Sequence, residues 1–531
     1  MKSLQLFCLS LCTVAALLCT PGLAQAAQQN STALETPASV GDKTAASPDV
    51  LFIAIDDMND WVGALGGKYQ AKTPNIDALA ARGMIFTNAH VPGTSCTPTR
   101  TALLTGMSPF RSGLYSHEID WRKTPGVQDV TTLPRHFRNN GYRTVGAGKL
   151  FHAHTYTIRG ARGQQDIKAW DDYFPSLQRQ LTDEIYPADG QNKNRKIDNP
   201  ARGGGVKTGW FDFHPVTAMD SAMGDGQVAS WIVEQLKLPT DGPRFTAAGI
   251  YRPHLPWYTP AKYFDLYPQS EIKLPPYLEN DRDDTAVKEE YNKEPGLGFD
   301  AMPRLSEPAP DKVLGALQAY LASISFSDAI VGEIIKGLDE SGRADNTIIV
   351  LWSDHGFHLG EKDTWGKFTL WERTTHVPFI VVAPGITKAG SKSNEAVSLQ
   401  SIYPTLTDLA GLERPKHVDG TSLRPLLENP NSNWDEVAIT AVEYGSYSVR
   451  DDDFRYIVYK DGGEELYDHR TDPNEWTNVV SKPKYSETLE NLRRKLPPVT
   501  EQKRPLPKEE DSKPASEKRK AAGATDSGKL K

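Results

Sequence analysis

Short apolar runs alternate along the chain with longer segments whose apolar positions recur every three or four residues. The run Asp49–Asp57 is apolar at consecutive positions and ends in two acids, and the run Asn346–His355 ends in Asp-His. A run that is apolar on both faces is typical of a strand inside a parallel sheet. The predicted strands are Asp49–Asp57, Met84–Ala89, Tyr142–Gly148, Arg244–Ile250, Asn346–His355 and His376–Gly385.

The segments with a helical period lie between these strands. Lys312–Leu338 has the strongest period, and Thr73-Pro74 offers a cap and a first-turn proline for another helix. The predicted helices are Thr73–Ala81, Thr97–Thr105, Leu133–Asn139, Met219–Leu236, Lys312–Leu338 and Ser401–Ala410. Strands that alternate with helices predict an α/β fold with a doubly wound, mostly parallel sheet.

The pattern changes after about residue 435, where short strands are separated by Asp-rich and Gly-rich turns. This pattern, followed by a helix over Tyr485–Leu496, indicates a smaller antiparallel lobe. We therefore predict a main domain over residues 48–430 and a C-terminal subdomain over residues 431–500. The stretches 155–215 and 268–310 have no clear period and are interpreted as loops.

The two ends of the chain have the composition of segments outside the fold. Residues 1–26 carry Lys2, an apolar run and Ala24-Gln25-Ala26, which is the layout of a secretory signal peptide. Lipoprotein processing before Cys19 is the alternative, although Leu18 stands where a small residue is expected. Residues 27–47 are interpreted as a flexible lead-in, and residues 501–531 as a disordered tail.

This layout predicts a periplasmic or secreted protein without a membrane-spanning segment. The formal net charge of −8 becomes −9 when the signal peptide and its single lysine are removed. A net acidic protein is not built as a general nucleic-acid binder, so we expect no nucleic-acid partner.

Cysteine use identifies an unusual position. Of the four cysteines, Cys8, Cys12 and Cys19 lie in the predicted signal peptide, so Cys96 is the one that the mature protein keeps. A lone thiol in an oxidising compartment has no partner for an internal disulfide. Either Cys96 is buried and inert, or its sulfur is not retained.

Chemically active side chains gather at one edge of the predicted sheet. Directly after a predicted strand, the chain places Asp56, Asp57, Lys149, His152, His254, Asp354 and His355. In open α/β sheets, ligands bind at the carboxyl ends of the strands, so these residues are expected to meet there. The helix that follows Cys96 can direct its positive end toward the same edge.

Three carboxylates at one edge repel one another unless a cation is present. Oxygen ligands suit Ca²⁺ or Mg²⁺, and histidine is a poor ligand for either ion. His355 is therefore the least secure ligand on chemical grounds, and a strand-end turn is the alternative interpretation of Asp56 and Asp57. An anionic ligand at this edge would also need cations, which Arg100, Lys149 and Lys367 can provide.

Six motifs in their order along the chain resemble those of the type I, formylglycine-dependent sulfatases. They are DVLFIAIDDMNDW, SCTPTRTALLTG, GKLFH, YRPHLPW, SDHGFHLGEKDTWGKF and HVPFIVVAPG. The most specific is Cys-x-Pro-x-Arg with Thr105-Gly106, and Thr99 stands where the family usually has serine. The iduronate-2-sulfatase branch, with its bacterial polysaccharide sulfatases, is the most similar. The resemblance implies an alkaline-phosphatase-like fold.

The resemblance also implies cofactors and roles. A maturation enzyme would oxidise Cys96 to 3-oxoalanine (formylglycine), and Ca²⁺ would be held by Asp56, Asp57, Cys96, Asp354 and His355. Arg100 and Lys149 would hold the aldehyde hydrate and the sulfate, and His152 would take a proton from the hydrate. His254 and Lys367 would bind sulfate, and one of them would assist the leaving alcohol. One hydrate oxygen would attack sulfur, and the second hydroxyl would later expel the bound sulfate.

The implied substrate is a sulfated carbohydrate, with exo-removal of a 2-sulfate from a uronic acid as our expectation. For sugar recognition we consider stacking on a tryptophan, with packing in the core as the alternative for each one, and a carboxylate contact to Arg252 or to residues of the stretch 155–215. The tryptophans considered are Trp61, Trp257, Trp365 and Trp371. Three alternatives stay open: an algal polysaccharide such as ulvan or carrageenan, a phosphodiesterase or phosphonate hydrolase of the same fold, and a non-catalytic carbohydrate-binding protein.

Overall fold

The chain is described by a computed structural model over residues 47–66, 70–117, 119–153, 163–182, 184–185, 211–287, 305 and 310–504. The strands in this part of the chain are β1 Asp49–Ile55, β2 Met84–Phe86, β3 Ala89–His90, β4 Arg143–Gly148, β5 Asp172–Phe174, β6 Phe213–Val216, β7 Arg244–Ile250, β8 Trp257–Pro260, β9 Thr347–Ser353, β10 His358–Leu359, β11 Trp365–Gly366, β12 Phe379–Val382, β13 Ser391–Ser393, β14 Val397–Ser398, β15 Ala438–Glu443, β16 Ser446–Arg450, β17 Phe454–Val458 and β18 Glu464–Asp468.

The described residues form eleven α-helices, among them helices on both faces of the main sheet. They are α1 Pro74–Arg82, α2 Cys96–Thr105, α3 Pro109–Ser112, α4 Leu133–Asn139, α5 Gly224–Lys237, α6 Ala261–Phe264, α7 Pro310–Glu340, α8 Glu372–Thr375, α9 Ile402–Leu409, α10 Arg424–Glu428 and α11 Ser486–Arg494. Alternate residues of β1 enter two cores: one contains apolar side chains of α1, α5 and α7, and the other those of α2, α4 and α9. The central strand is therefore buried on both faces, as its apolar sequence predicts.

The main sheet has the strand order β13-β2-β12-β9-β1-β7-β4-β5. Neighbouring strands are parallel except for β12, which runs antiparallel to both β9 and β2. The fold is thus the predicted doubly wound, mostly parallel α/β arrangement. At the centre, β1 pairs in parallel with β7 on one side and with β9 on the other.

Two short strands lie in the stretch 155–215, all of which was predicted to be loop. The strand β5 pairs in parallel with β4 at the sheet edge, and β6 pairs with β8. Each has four residues or fewer, which is too short for a period to be seen in the sequence. Residues 155–162, 183 and 186–210 of this stretch lie outside the described residues.

Helix α7 is the longest described helix and packs against the sheet. It is also the one described helix whose length and hydropathy would fit a membrane span, and 83% of its most apolar window is buried within the protein. A helix buried in this way belongs to the core of the domain.

The C-terminal sheet is antiparallel, in the order β15-β16-β17-β18, as predicted. Helix α11 covers it, and Leu489 and Leu492 pack on Val449, Tyr456 and Leu466. The helix was predicted over Tyr485–Leu496 and is observed over Ser486–Arg494.

The last described residues contact the main domain. The Lys503 N–H donates to the Phe110 carbonyl at 2.6 Å, and the Tyr447 hydroxyl donates to Gln502 Oε1 at 3.1 Å. The Tyr115 hydroxyl donates to the Lys503 carbonyl at 3.3 Å. The predicted start of the tail at residue 501 therefore falls within a packed segment, and residues 505–531 lie outside the described residues.

We expect a chain that ends at Arg504 to keep the melting temperature and the turnover of the full-length protein. A chain that ends at Pro497 should melt a few degrees lower, because it loses hydrogen bonds that each contribute about 1 kcal/mol. Calorimetry of the two truncated proteins beside the full-length protein measures this. Lost turnover in the Arg504 protein with an unchanged melting temperature would contradict the prediction.

Candidate active site

The carboxyl ends of the central strands bring the predicted residues together. Strand β1 ends at Ile55 and β9 at Ser353, and the register pairs these two residues directly. Asp56 and Asp354 follow them in sequence, so the two acids leave neighbouring strands at the same level. Both are fully buried. The site therefore lies at the carboxyl ends of the central strands, where the sequence predicted it.

Asp57 reaches the same point because its backbone turns at that residue. Its φ of 62° lies in the left-handed region, which aspartate tolerates better than most residues do. The Asp57 N–H donates to Asp354 Oδ1 at 3.0 Å. The turn places two consecutive acids on one side of the chain.

Arg100 connects the ends of three strands. Its Nε donates to Asp354 Oδ2 at 2.7 Å and its Nη2 to Asp56 Oδ1 at 3.2 Å. Its Nη1 donates to the carbonyls of Lys149 and Leu150. All three nitrogen atoms of the guanidinium thus contact protein oxygens, and Arg100 holds the two carboxylates in position.

Two lysines supply the remaining positive charge. The Lys149 ammonium forms an ion pair with Asp56, and Lys367 Nζ lies 2.7 Å from Asp57 Oδ1. Lys149 follows Gly148, where φ is +73° and an added Cβ would lie 2.1 Å from the Gly249 carbonyl oxygen. Glycine therefore allows β4 and β7 to approach closely where the lysine leaves the sheet.

Cys96 is the first residue of α2, as predicted, so residue 96 lies at the N-terminus of a buried helix. Its Sγ lies 3.2 Å from Lys367 Nζ, 3.3 Å from His355 Nε2 and 3.8 Å from Lys149 Nζ. Burial raises the pKa of the Cys96 thiol well above its ordinary value. An unmodified thiol here stays protonated at neutral pH and is a poor nucleophile.

The balance of burial and charge differs between the two adjacent acids. Burial opposes ionisation of Asp56, but the charges of Lys149, His254 and Arg100 outweigh it and hold the pKa of Asp56 well below its ordinary value. Burial raises the pKa of Asp57 despite the nearby Lys367. Burial also lowers the pKa of His254 and of His355.

Donor atoms of four predicted ligands lie close enough together to hold a metal ion. Donor atoms of Asp56, Cys96, Asp354 and His355 all lie within 4.8 Å of one another. Opposite ligands of a Ca²⁺ ion are about 5 Å apart, because each oxygen lies about 2.3–2.6 Å from the ion.

The two predicted catalytic histidines have different neighbours. A ring nitrogen of His254 lies within 4.8 Å of donor atoms of Asp56, Asp57 and Cys96. His152 is buried beside His117, with their ring centroids 4.6 Å apart. His117 was not predicted: it follows no strand and lies in no motif, so no sequence pattern marks it.

The loop that carries Lys367 is held by the C-terminal sheet. The Glu372 N–H donates to Glu475 Oε2 at 2.8 Å, and Arg455 forms ion pairs with both glutamates. The Trp371 indole N–H donates to Glu465 Oε2 at 2.8 Å. Arg455 has no exposed surface. These contacts fix the chain four and five residues after Lys367.

The structure contradicts the expected sugar contacts of the tryptophans and of Arg252. All four tryptophans are at most 3% exposed, so none presents a face to a sugar; they are Trp61, Trp257, Trp365 and Trp371. Arg252 is 1% exposed, and its Nη2 lies 3.2 Å from Glu184 Oε2. An arginine paired in the interior is a structural ion pair.

Comparison with known proteins identifies the family of this chain. A family model described as Sulfatase matches residues 48–412, and one described as N-sulphoglucosamine sulphohydrolase, C-terminal, matches residues 360–502. The chain is 36% identical over 465 residues to a sulfatase of Formosa agariphila, with 86% of this chain and 87% of that protein covered. It is 29% identical over 496 residues to iduronate 2-sulfatase of Homo sapiens, with 79% and 86% covered.

The fold is shared with solved structures. The phosphonate monoester hydrolase of Agrobacterium radiobacter matches with a TM-score of 0.65 and 22% identity, covering 84% of this chain and 94% of that one. At this identity the likeness concerns the fold alone. The family model spans more than half of the chain, and so this protein belongs to the sulfatase family and is a sulfuric ester hydrolase.

Proposed function

We propose that this enzyme is secreted or periplasmic and removes sulfate from a sulfated sugar, with residue 96 as the nucleophile in its 3-oxoalanine form. The observation that supports this most is the placement of residue 96. It lies at a buried helix N-terminus, with two lysine ammonium groups within 3.8 Å of its side chain. Such a position favours an anionic ester bound beside the residue.

An aldehyde hydrate at residue 96 supplies one hydroxyl for attack on sulfur and a second whose deprotonation releases the sulfate. Lys149 and Lys367 hold the anionic oxygens next to residue 96, since both ammonium groups already contact its side chain. Arg100 donates hydrogen bonds to the carboxylates of Asp354 and Asp56 and to the backbone carbonyl of Lys149. The ester is thereby oriented before any bond changes.

The histidines handle protons. His254 lies within 4.8 Å of the residue 96 side chain, and burial keeps its imidazole neutral at pH 7. A neutral imidazole can accept a proton, and only after it has been protonated can it pass one to the departing alcohol, whereas the Lys367 ammonium already carries a proton to donate. We assign His152 to the hydrate and His254 with Lys367 to the side of the leaving group.

Ca²⁺ is the metal that we propose for the cluster of Asp56, Asp57, Asp354, His355 and residue 96. When bound, it supplies positive charge that offsets the three carboxylates next to an anionic ester. The side chains alone are close to neutral, because three buried acids face three buried cations. An added divalent ion makes the site positive, which suits a sulfate ester.

The sugar that we propose is a terminal 2-sulfated uronic acid of an oligosaccharide. Similarity to the human relative, iduronate 2-sulfatase, supports this assignment, as does the predicted secretory signal. The four tryptophans do not contribute to it, because they are buried.

Residue 96 should be an aldehyde in the active enzyme. Mass spectrometry of the peptide that contains residue 96 should show loss of the thiol and reaction with a hydrazide. The Cys96→Ala protein, prepared in the same way, serves as the unreactive control. A fully active preparation that retains only the Cys96 thiol would contradict the proposal.

The enzyme should contain one divalent ion per chain, and Asp354→Ala should abolish turnover. Asp354 accepts from Arg100 and from the Asp57 N–H, so its loss leaves an arginine buried without its main partner, at a cost of about 3–5 kcal/mol. Elemental analysis and thermal unfolding of wild type and variant measure both effects. Full activity after exhaustive chelation, with no metal detected, would refute the assignment.

The substrate proposal is tested with matched oligosaccharides that carry sulfate on a terminal or an internal uronic acid. We expect sulfate release from the terminal position and little from the internal one. A preference for internal galactose sulfates of algal polymers would overturn the uronate assignment. Turnover of phosphonate monoesters with no sulfate released from any sugar would overturn the proposed function as a whole.

A further inference from the structure

His117 lies in the loop after α3 and is connected to the catalytic residues in three directions. Its Nδ1 lies 3.0 Å from the Thr97 hydroxyl, which directly follows the proposed nucleophile. Its ring lies 4.6 Å from that of His152, tilted by 31°. Its third neighbour is Phe368, which follows Lys367 and meets the His117 ring edge-on at 5.7 Å.

A second pair of rings connects the segment of His152 to the segment of His117. Phe151 stacks on Trp121 with ring centroids 5.3 Å apart and planes inclined by 18°. The consecutive residues 151 and 152 therefore each pack a ring against the loop that runs from residue 117 to residue 121. The Trp121 indole N–H donates to the Gln164 carbonyl at 2.6 Å, and the Gln164 N–H donates to the His152 carbonyl at 2.9 Å.

The backbone and the ring of His152 are thus held by different contacts. Gln164 fixes the backbone, and the flat face of His117 limits how the imidazole can turn. A proton acceptor must lie within hydrogen-bond reach of its donor, and a displacement of about 1 Å can lower a rate about 100-fold. The reaction therefore requires that the orientation of the His152 imidazole ring be fixed by its neighbours.

We infer that His117 is a positioning residue for the sulfatase reaction: hydrogen-bonded to Thr97, it holds the His152 ring in the orientation that its proton transfer needs. The inference rests on the proposed function, because it assigns His152 to the hydrate. His117 is half-buried, whereas residue 96, Lys149 and Asp354 have no exposed surface. It therefore lies between the reacting atoms and solvent.

The kinetic test compares His117→Ala, His117→Phe and the wild-type enzyme, with rates divided by the fraction of residue 96 that is converted to aldehyde. We expect His117→Ala to lower kcat about 10–100-fold with KM changed less than threefold. His117→Phe keeps a ring against His152 and should recover to within tenfold of the wild-type kcat. Unchanged kcat in His117→Ala, or a raised KM at constant kcat, would overturn the inference.

The matched control is His417→Ala. His417 is also half-buried, and it contacts the Tyr403 ring and the Thr131 carbonyl but none of the catalytic residues. Its kcat should stay within twofold of the wild-type value. A loss in the control equal to that in His117→Ala would show a general effect of histidine removal and would overturn the inference.

A second measurement does not need turnover. In protein with ¹³C-labelled histidine rings, the His152 signal, assigned by its loss in His152→Ala, should shift and broaden in His117→Ala, because a stacked ring is removed. An unshifted His152 signal would overturn the inference. Sulfate release by the wild-type enzyme tests the proposed function separately, so the two failures can be distinguished.

Discussion

The active site depends on the pairing of buried acids with buried cations at the carboxyl ends of the strands. Three acids and three cations meet there with no exposed surface or almost none. A buried charge is tolerated only when it is paired and hydrogen-bonded, and breaking such a pair costs about 3–5 kcal/mol. Each strand end must therefore stop at a defined level, and β1, β4, β7 and β9 do so side by side.

The C-terminal sheet extends this constraint to the cation that comes from a loop. Lys367 follows the short strand β11 and would otherwise be free to move with its loop. Arg455 and Glu475 hold Glu372 in a buried ion network, in which Arg455 helps to lower the pKa of Glu475 to about 2 against the effect of burial. The subdomain is thus a support for the active site as well as a separate layer of structure.

Much of this arrangement follows from the sequence because strand ends are visible in it. Apolar runs that end abruptly in Asp-Asp or Asp-His fix both the fold and the position of the acids, and parallel pairing brings them together. The antiparallel direction of β12 was not predictable, since its apolar run looks the same in either direction. Strand β5 is too short to show a period.

The contacts that the sequence did not reveal depend on side-chain packing between distant segments. His117 contacts Thr97 and His152 only because segments that are distant in the sequence pack their side chains together. The four tryptophans looked suited to sugar stacking, yet an indole gains more by burial in an apolar core, and all four are buried. The protein contacts of Arg100 were also not predicted: its guanidinium faces the carboxylates of Asp354 and Asp56 and the backbone carbonyls of Lys149 and Leu150.

The central claim is that residue 96 attacks sulfur and needs its second hydroxyl to release the sulfate. The most direct measurement is the intact mass of Cys96→Ser protein, made without a maturation enzyme, after incubation with a substrate that the wild type turns over. A serine has one hydroxyl, so the account predicts that sulfate accumulates covalently on residue 96 and turnover stops. Continued release of sulfate by this variant, with residue 96 unmodified, would contradict it.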